Sequence, residues 1–369
     1  MKKGAIWFAL ERLYLVKENT NFLIEHRSLY FLLPLSKGET FKLIKTMDLT
    51  SNYAGIELQN PIIAASSGMT ATAEKIVQIA EAGVGAVVLK SLFEEQIESE
   101  ALSSAAIDAY GEGTEYILQY TKSHKIEQHL NLIADAKART SIPIIASINC
   151  YKKGEWISFA RRMEQAGADA VELNIMRIET GKMVNENQLA NEYIDMCTMV
   201  AKELSIPVAV KLDSQYSCLV ALVDKLRASG IKGVTCFNRP YQMDIDLNKL
   251  QIIGGPMLTT EADLSTTLKF TGILSALVPG IAVSASGGVH SSEAVIKCLL
   301  AGASSVQLAS SLYKKGVSVV TNYIKELKDW MTTKGYRTVD EFKGLLNAKN
   351  DKGKNSFERV QFMKYVSND

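Results

Sequence analysis

The stretch IAVSASGGVHSSEAVIKCLLAGASSVQLASSLYKKG runs from Ile281 to Gly316, and its reading decides the fold. A short apolar run (Ile281-Ala-Val-Ser) ends in Ser286-Gly287-Gly288. A helical pattern follows, with Ala294, Val295, Cys298 and Leu299 at helical spacing, and Ala301-Gly302 closes it. A second apolar run (Ser305-Val-Gln-Leu) ends in Ala309-Ser310-Ser311. Two consecutive strands thus each finish in a loop of small residues that leads into a helix. Loops of this kind leave backbone N–H groups free, and the helix start adds a positive dipole end. A single Gly-Gly would be an ordinary strand–helix turn. Two such loops in this order favour a phosphate site.

Working back along the chain, the same unit recurs. One kind of strand opens at a proline: Asn60-Pro61-Ile-Ile, Ser141-Ile-Pro143-Ile-Ile, Ser205-Ile-Pro207-Val and Pro279-Gly-Ile-Ala-Val. The other follows a helix closed by glycine: Ala82-Gly83, Ala166-Gly167, Ser229-Gly230 and Ala301-Gly302. The two kinds alternate, which predicts four β-α-β quarters and eight parallel strands. That pattern is a closed (β/α)8 TIM barrel of the α/β class. Leu49 to Tyr53 and Ile56 to Leu58, joined through Ala54-Gly55, predict a small N-terminal β-hairpin before it. Lys325 to Asp369 reads as a charged helical tail on the outside.

The totals agree with a barrel. The chain has 369 residues, 47% of them hydrophobic and 22% charged, which suits one large core. A net charge of +1 gives no electrostatic reason to expect nucleic acid or a membrane surface. The five cysteines are scattered without a Cys-x-x-Cys pair, so no metal site or disulfide framework is expected, and reduced thiols point to a cytoplasmic protein. Residues 1–46 mix aromatic and basic residues without the later rhythm. They are read as an N-terminal extension, non-native or poorly packed, ahead of a start at Met47; a membrane-surface anchor is the other reading, and no stable membrane insertion is expected. The organised part is therefore residues 47–369.

In such a barrel the chemistry sits at the strand C-termini. Those ends are Ser66-Ser67-Gly68, Lys90-Ser91, Asn149-Cys150, Asn174, Lys211, Phe237-Asn238, Ser286-Gly287-Gly288 and Ala309-Ser310-Ser311. Lysines and amides converging on one mouth suit a planar, carbonyl-rich, partly anionic ligand held by a phosphate. Flavin mononucleotide (FMN) meets that description.

At this point the sequence resembles the class 1 dihydroorotate dehydrogenases. The resemblance rests on Asn60-Pro61, Ala65-Ser66, Val88-Leu-Lys90-Ser91, Glu172-Leu-Asn174, Val210-Lys211, Asn238, Ser286-Gly287-Gly288 and Ala309-Ser310-Ser311, in order from about Met47 to about Gly316. It implies an FMN-dependent dehydrogenase of pyrimidine biosynthesis, acting on a CH–CH bond of dihydroorotate or a related small carboxylated substrate, and a homodimer. By resemblance Ser66, Lys90, Ser91, Asn174 and Lys211 touch the flavin ring or ribityl chain, Gly287, Gly288, Ala309 and Ser310 hold the phosphate, and Gly255 lies in a shortened glycine-rich loop near the cofactor. Lys90 and Lys211 are the expected catalytic lysines, and Asn149, Asn238 and Arg239 are expected to face the substrate.

The substrate half departs from the family. Arg177 stands where the family has its general base, and a guanidinium stays protonated and cannot accept a proton. Glu94, Glu179, Tyr151 and Cys150 are the candidate replacements by proximity to strand ends; Glu94 and Glu95 equally suit a solvated helix start. Arg177 with Arg239 would suit a substrate carboxylate. His290 reads as a helix-start residue. Two other functions fit the same residues: a barrel lyase or isomerase using Lys90 or Lys211 as a Schiff-base nucleophile, and a flavin-binding electron-transfer subunit without its own turnover. Gly288→Asp is expected to abolish flavin retention without unfolding the barrel.

Overall fold

A computed structural model describes residues 13–17, 20–25, 28–33, 42–45, 47–93, 99, 114–149, 153–175, 180–182, 185–239, 242–351 and 357, with the backbone alone for 13–45, 114–121, 153–155 and 186. The first four strands, β1 (Leu13–Lys17), β2 (Thr20–Glu25), β3 (Ser28–Leu33) and β4 (Lys42–Lys45), form an antiparallel meander of their own. The sequence reading found no regular elements there. Its short strands are separated by only two residues at Lys17↔Thr20 and Glu25↔Ser28, a spacing that hairpin turns favour.

The hairpin β5 (Ser51–Tyr53) and β6 (Ile56–Leu58) follows, as expected. Its two turn residues, Ala54 and Gly55, both have positive φ (54° and 93°), the backbone that matches strand twist in a two-residue hairpin. The barrel strands are β7 (Ile62–Ala64), β8 (Ala86–Val88), β10 (Ile144–Asn149), β11 (Ala170–Asn174), β12 (Val208–Leu212), β13 (Gly233–Cys236), β16 (Ala282–Ser286) and β17 (Ser305–Leu308). All eight pair in parallel, and β17 pairs with β7 to close the ring. A short strand, β9 (Leu92–Phe93), continues beside the end of β10. The helices α1 (Ala73–Glu81), α2 (Thr114–Arg139), α3 (Lys153–Gln165), α4 (Glu186–Glu203), α5 (Leu219–Ala228), α6 (Leu264–Leu277), α7 (Ser292–Leu300), α8 (Ser310–Lys315) and α9 (Val319–Lys334) follow the strands in turn.

The repeat read in the sequence is a backbone repeat. Gly83, Gly167, Gly230 and Gly302 leave their helices with φ of 96°, 98°, 100° and 106°, a conformation that a Cβ makes costly. Side-chain parity then sorts each strand. Ile62, Val87, Ile144, Val171, Val210, Val234, Val283 and Val306 face the helices and form the large core. Ile63, Ala86, Val88, Ile145, Ala170 and Ala209 face inward, where Tyr53, Ile56 and Leu58 of the hairpin plug the bottom. A Cβ at Gly233 would stand 3.0 Å from the Tyr53 ring, so the plug needs the glycine.

Two further features differ from the sequence reading. The C-terminal segment is not helical throughout: α9 ends at Gly335 (φ 79°), and the chain returns to bury Val339 and Phe342, the latter against Trp330 and Tyr336. Between β13 and α6 a second hairpin, β14 (Met243–Asp246) and β15 (Gln251–Gly254), projects with Met243, Ile245, Leu247, Leu250 and Ile252 exposed. Among the described residues no helix is long and apolar enough to cross a membrane.

His129, on α2, is buried with its Nε2 unpartnered, and burial pushes its imidazole down to about 4. The unfolded chain takes up this proton near pH 6.5 and the fold refuses it until about pH 4. Stability should therefore be complete above pH 6.5 and fall by about 3 kcal/mol as the pH drops through that window. Urea unfolding at pH 7 and pH 4.5 tests this, because His129→Leu should flatten the difference. An unchanged pH dependence would mean that the imidazole is solvated.

Candidate functional site

A cavity of about 460 Å³ opens at the C-terminal ends of β7, β12, β13, β16 and β17. Its size falls within the range of about 300–1,000 Å³ usual for small-molecule sites. Of the sequence-predicted residues, Ser66, Lys211, Asn238, Arg239, Gly287, Gly288, Ala309 and Ser310 line it. The two small-residue loops read from residues 281–316 do come together, because β16 and β17 are neighbours in the ring.

The loop after β16 is shaped by close approach. Gly287 and Gly288 have φ of 112° and 74°. A Cβ on Gly288 would lie 2.0 Å from the Leu264 nitrogen, so the start of α6 touches bare backbone there. Thr267 on α6 donates its hydroxyl to the Ser286 and Gly287 carbonyls, both at 3.1 Å, and fixes the loop. Ser310 Oγ accepts from the Thr259 N–H at 2.9 Å. The backbone N–H groups of Gly287, Gly288, Ala309 and Ser310 have no hydrogen-bond acceptor among the described residues. Four free donors in two adjoining loops form a natural anion cradle.

Lys211 reaches the cavity from the inner face of β12. Its side chain is buried, and it has neither a hydrogen bond nor an ion pair among the described residues. Asn238 donates to Asn174 Oδ1 at 3.0 Å, joining the ends of β13 and β11. Ser91 lies one step outside the lining: its N–H donates to Ser66 Oγ at 2.9 Å, and its hydroxyl meets Ser66 and Ser147 at 3.0 and 2.7 Å. Asn149 is buried at the end of β10, outside the cavity wall.

Three expected residues stand differently from their expected roles. Lys90 is exposed and does not line the cavity. It lies two residues past the end of β8 at Val88, where the chain has left the strand and alternation no longer carries the side chain inward. Gly255 lies at the foot of the exposed hairpin, with its N–H donated to Gln242 at 2.7 Å, and is not part of the wall. Arg239 lines the cavity but is engaged, donating to Asp263 at 3.3 Å and to the Pro256 carbonyl at 3.1 Å. Burial alone would raise the Asp263 carboxyl, but hydrogen bonds from Thr260 and the Arg239 guanidinium outweigh it and hold it low. Arg177, Glu94, Glu95, Glu179, Tyr151 and Cys150 lie outside the described residues.

His290 is buried ahead of α7, and its Nε2 meets Thr259 Oγ1 at 3.1 Å. Burial, then the Lys314 ammonium, pushes its imidazole below the usual histidine range. Lys314 and Lys315 donate to the Thr259 and His290 carbonyls at 2.7 and 2.6 Å, tying α8 to both loops. Sequence reasoning passed over Gln307, Thr267 and Tyr313, which also line the cavity. A glutamine inside a predicted barrel strand was the available signal for Gln307. Thr267 and Tyr313 sit on helices and carry none.

A protein-family model described as dihydroorotate dehydrogenase matches residues 48–331. The catalytic subunit of dihydroorotate dehydrogenase B (NAD(+)) from Methanocaldococcus jannaschii is 27% identical over 323 residues, covering 80% of this chain and 97% of its own. The dihydroorotate dehydrogenase (fumarate) of Saccharomyces paradoxus is 24% identical over 329 residues, covering 82% and 99%. The NAD-dependent dihydropyrimidine dehydrogenase subunit PreA of Escherichia coli is 24% identical over 326 residues, covering 82% and 77%.

The close contact at Gly288 adds a structural cost to Gly288→Asp beyond its expected effect on flavin retention: any Cβ there meets the backbone at the start of α6, which must shift. Gly288→Ala should cost at least about 2 kcal/mol through strain and overlap together. Gly316→Ala has the same left-handed φ (78°) but open space around it, so it isolates the backbone strain. Equal thermal shifts for the two variants would show that α6 does not press on the loop.

Proposed function

This chain belongs to the dihydroorotate dehydrogenase family, and we propose that it is an FMN-dependent dehydrogenase that oxidises a CH–CH bond in dihydroorotate or a related small carboxylated ring. The observation that carries the reading is the pairing, in one cavity, of four unpartnered backbone N–H groups with a buried, unpaired lysine. Those features fit the two ends of FMN. Gly287, Gly288, Ala309 and Ser310 would hold its phosphate, and Lys211 would face the ring with Ser66 and, behind them, Ser91 and Asn174.

Bound there, FMN supplies a hydride acceptor for the oxidised carbon. The protein supplies the remainder. Lys211, buried in the cavity wall, would face the ring and stabilise negative charge developing there. Asn238, steadied by Asn174, offers amide contacts to the ligand above it. The proton leaving the adjacent carbon needs an acceptor other than Arg177, which is protonated throughout. Glu94, Glu179, Tyr151 and Cys150 stay the candidates for it. The engaged Arg239 serves better as a brace between the hairpin foot and α6 than as a carboxylate clamp.

The purified protein should be yellow, with a flavin spectrum that bleaches anaerobically on adding dihydroorotate. A flavin spectrum unmoved by dihydroorotate would keep the cofactor and discard that substrate. A colourless protein that forms a borohydride-trapped adduct at Lys211 would instead support the Schiff-base reading. Ala309→Asp, which sets a carboxylate beside the cradle, should lower FMN retention at least about tenfold by charge repulsion. Unchanged retention would place the phosphate elsewhere.

The homodimer implied by the resemblance is supported by the exposed apolar hairpin, because a contiguous patch of this kind marks an association surface. Light scattering should give twice the chain mass, and Leu250→Asp should return it to one. A monomeric wild-type protein would remove this part of the proposal.

A further inference from the structure

Halfway up the barrel the inward side chains become polar, and they converge on Glu172. This residue of β11 is fully buried. Its Oε2 accepts from the Thr235 hydroxyl at 2.8 Å and from the Gln307 amide at 2.9 Å. Its Oε1 has no partner, and among the described residues the carboxylate has no ion pair. Tyr53 completes the group from below. The single Thr235 hydrogen goes to Glu172, so the 3.0 Å contact between the two hydroxyls is donated by Tyr53. Burial, and then the charge of Glu172, raises the Tyr53 phenol well above its ordinary value, so it keeps the proton it donates.

A carboxylate without a cation is an expensive way to fill a barrel, and apolar side chains of the same volume would do as well or better for stability. Its geometric output is the orientation of Gln307. Gln307 Nε2 is held by Glu172 Oε2 and, at 3.0 Å, by Thr235 Oγ1. Both are acceptors toward it, so the amide cannot turn over without setting oxygen against oxygen. Gln307 Oε1 is thereby directed away from them, and it too is buried and unpartnered. Gln307 is 2% exposed, yet it lines the cavity. A buried acceptor left unsatisfied is costly, and a ligand donor would satisfy this one.

Its position says which donor. Gln307 lies two residues below Ala309 on the same inward face of β17, one layer under the anion cradle. Lys211 reaches the same cavity from β12, three strands away around the ring. A ligand held at the cradle and extending to Lys211 passes Gln307 with its middle. In FMN the middle is the ribityl chain, whose hydroxyls are donors. Resting on the FMN reading above, we infer that Gln307 Oε1 accepts a hydrogen bond from a ribityl hydroxyl, and that Glu172 is the positioning residue that holds the amide for it.

The test compares two flavins on the full-length apoprotein. Riboflavin and lumiflavin both lack the phosphate and differ in the polyol chain, so the cradle contributes to neither. Fluorescence titration should show wild type preferring riboflavin. Gln307→Met should weaken riboflavin about tenfold, the share of one hydrogen bond, and leave lumiflavin within about twofold. Glu172→Gln, near-isosteric but able to let the two amides turn over together, should weaken riboflavin severalfold and leave lumiflavin alone. If Gln307→Met does not fold, Glu172→Gln decides by the same comparison. Equal loss for both flavins would reduce the network to packing and overturn the inference, as would a wild type with no preference for riboflavin. A wild type that fails to bind FMN overturns the flavin reading itself, a separate and recognisable failure.

Discussion

Eight parallel strands closed into a ring leave an interior only wide enough for side chains, and every inward position competes for that volume. Most of what distinguishes this chain follows from how the competition is resolved. The lowest inward layer is small, with Ala86, Ala170, Ala209 and Gly233, so that Tyr53 can enter from the hairpin and plug the bottom. The middle layer is polar and joined by its own hydrogen bonds. Only the uppermost layer opens, and the cavity lies there.

The cavity combines two kinds of positive character. At β16 and β17 it is supplied by backbone: glycine at 287 and 288 brings the chain so near α6 that no side chain fits, and N–H groups are left free. At β12 it is supplied by Lys211, carried inward by strand parity and making no ion pair of its own among the described residues. Neither feature favours stability in isolation. Strained glycines and an unpaired buried ammonium are the kinds of cost that binding sites carry.

The cofactor side and the substrate side of the site differ in kind. Residues that would hold a flavin sit on strand ends, whose positions the ring fixes. Candidate groups for the substrate and its proton, among them Arg177, Glu94 and Glu179, come after β9 and β11 in the sequence and lie outside the described residues. The relatives act on related but different pyrimidines, according to their names. Variation confined to the loops of a constant barrel is how one scaffold supports several substrates.

The sequence by itself determined the eight-strand barrel, the hairpin at its base and the paired loops of residues 281–316. All of these rest on local signals: proline at strand starts, glycine at helix ends, and short apolar runs. Local signals cannot say which way a strand-end side chain finally points or what meets it from across the ring. Hence Lys90 and Lys211, alike in sequence, part company in space, one outside the cavity and one in its wall. Tertiary structure alone engaged Arg239 with Asp263, pressed α6 onto Gly288, and set Gln307 against Glu172 from strands 135 residues apart. Those contacts join residues distant in sequence, and only closure of the ring brings them within hydrogen-bonding distance.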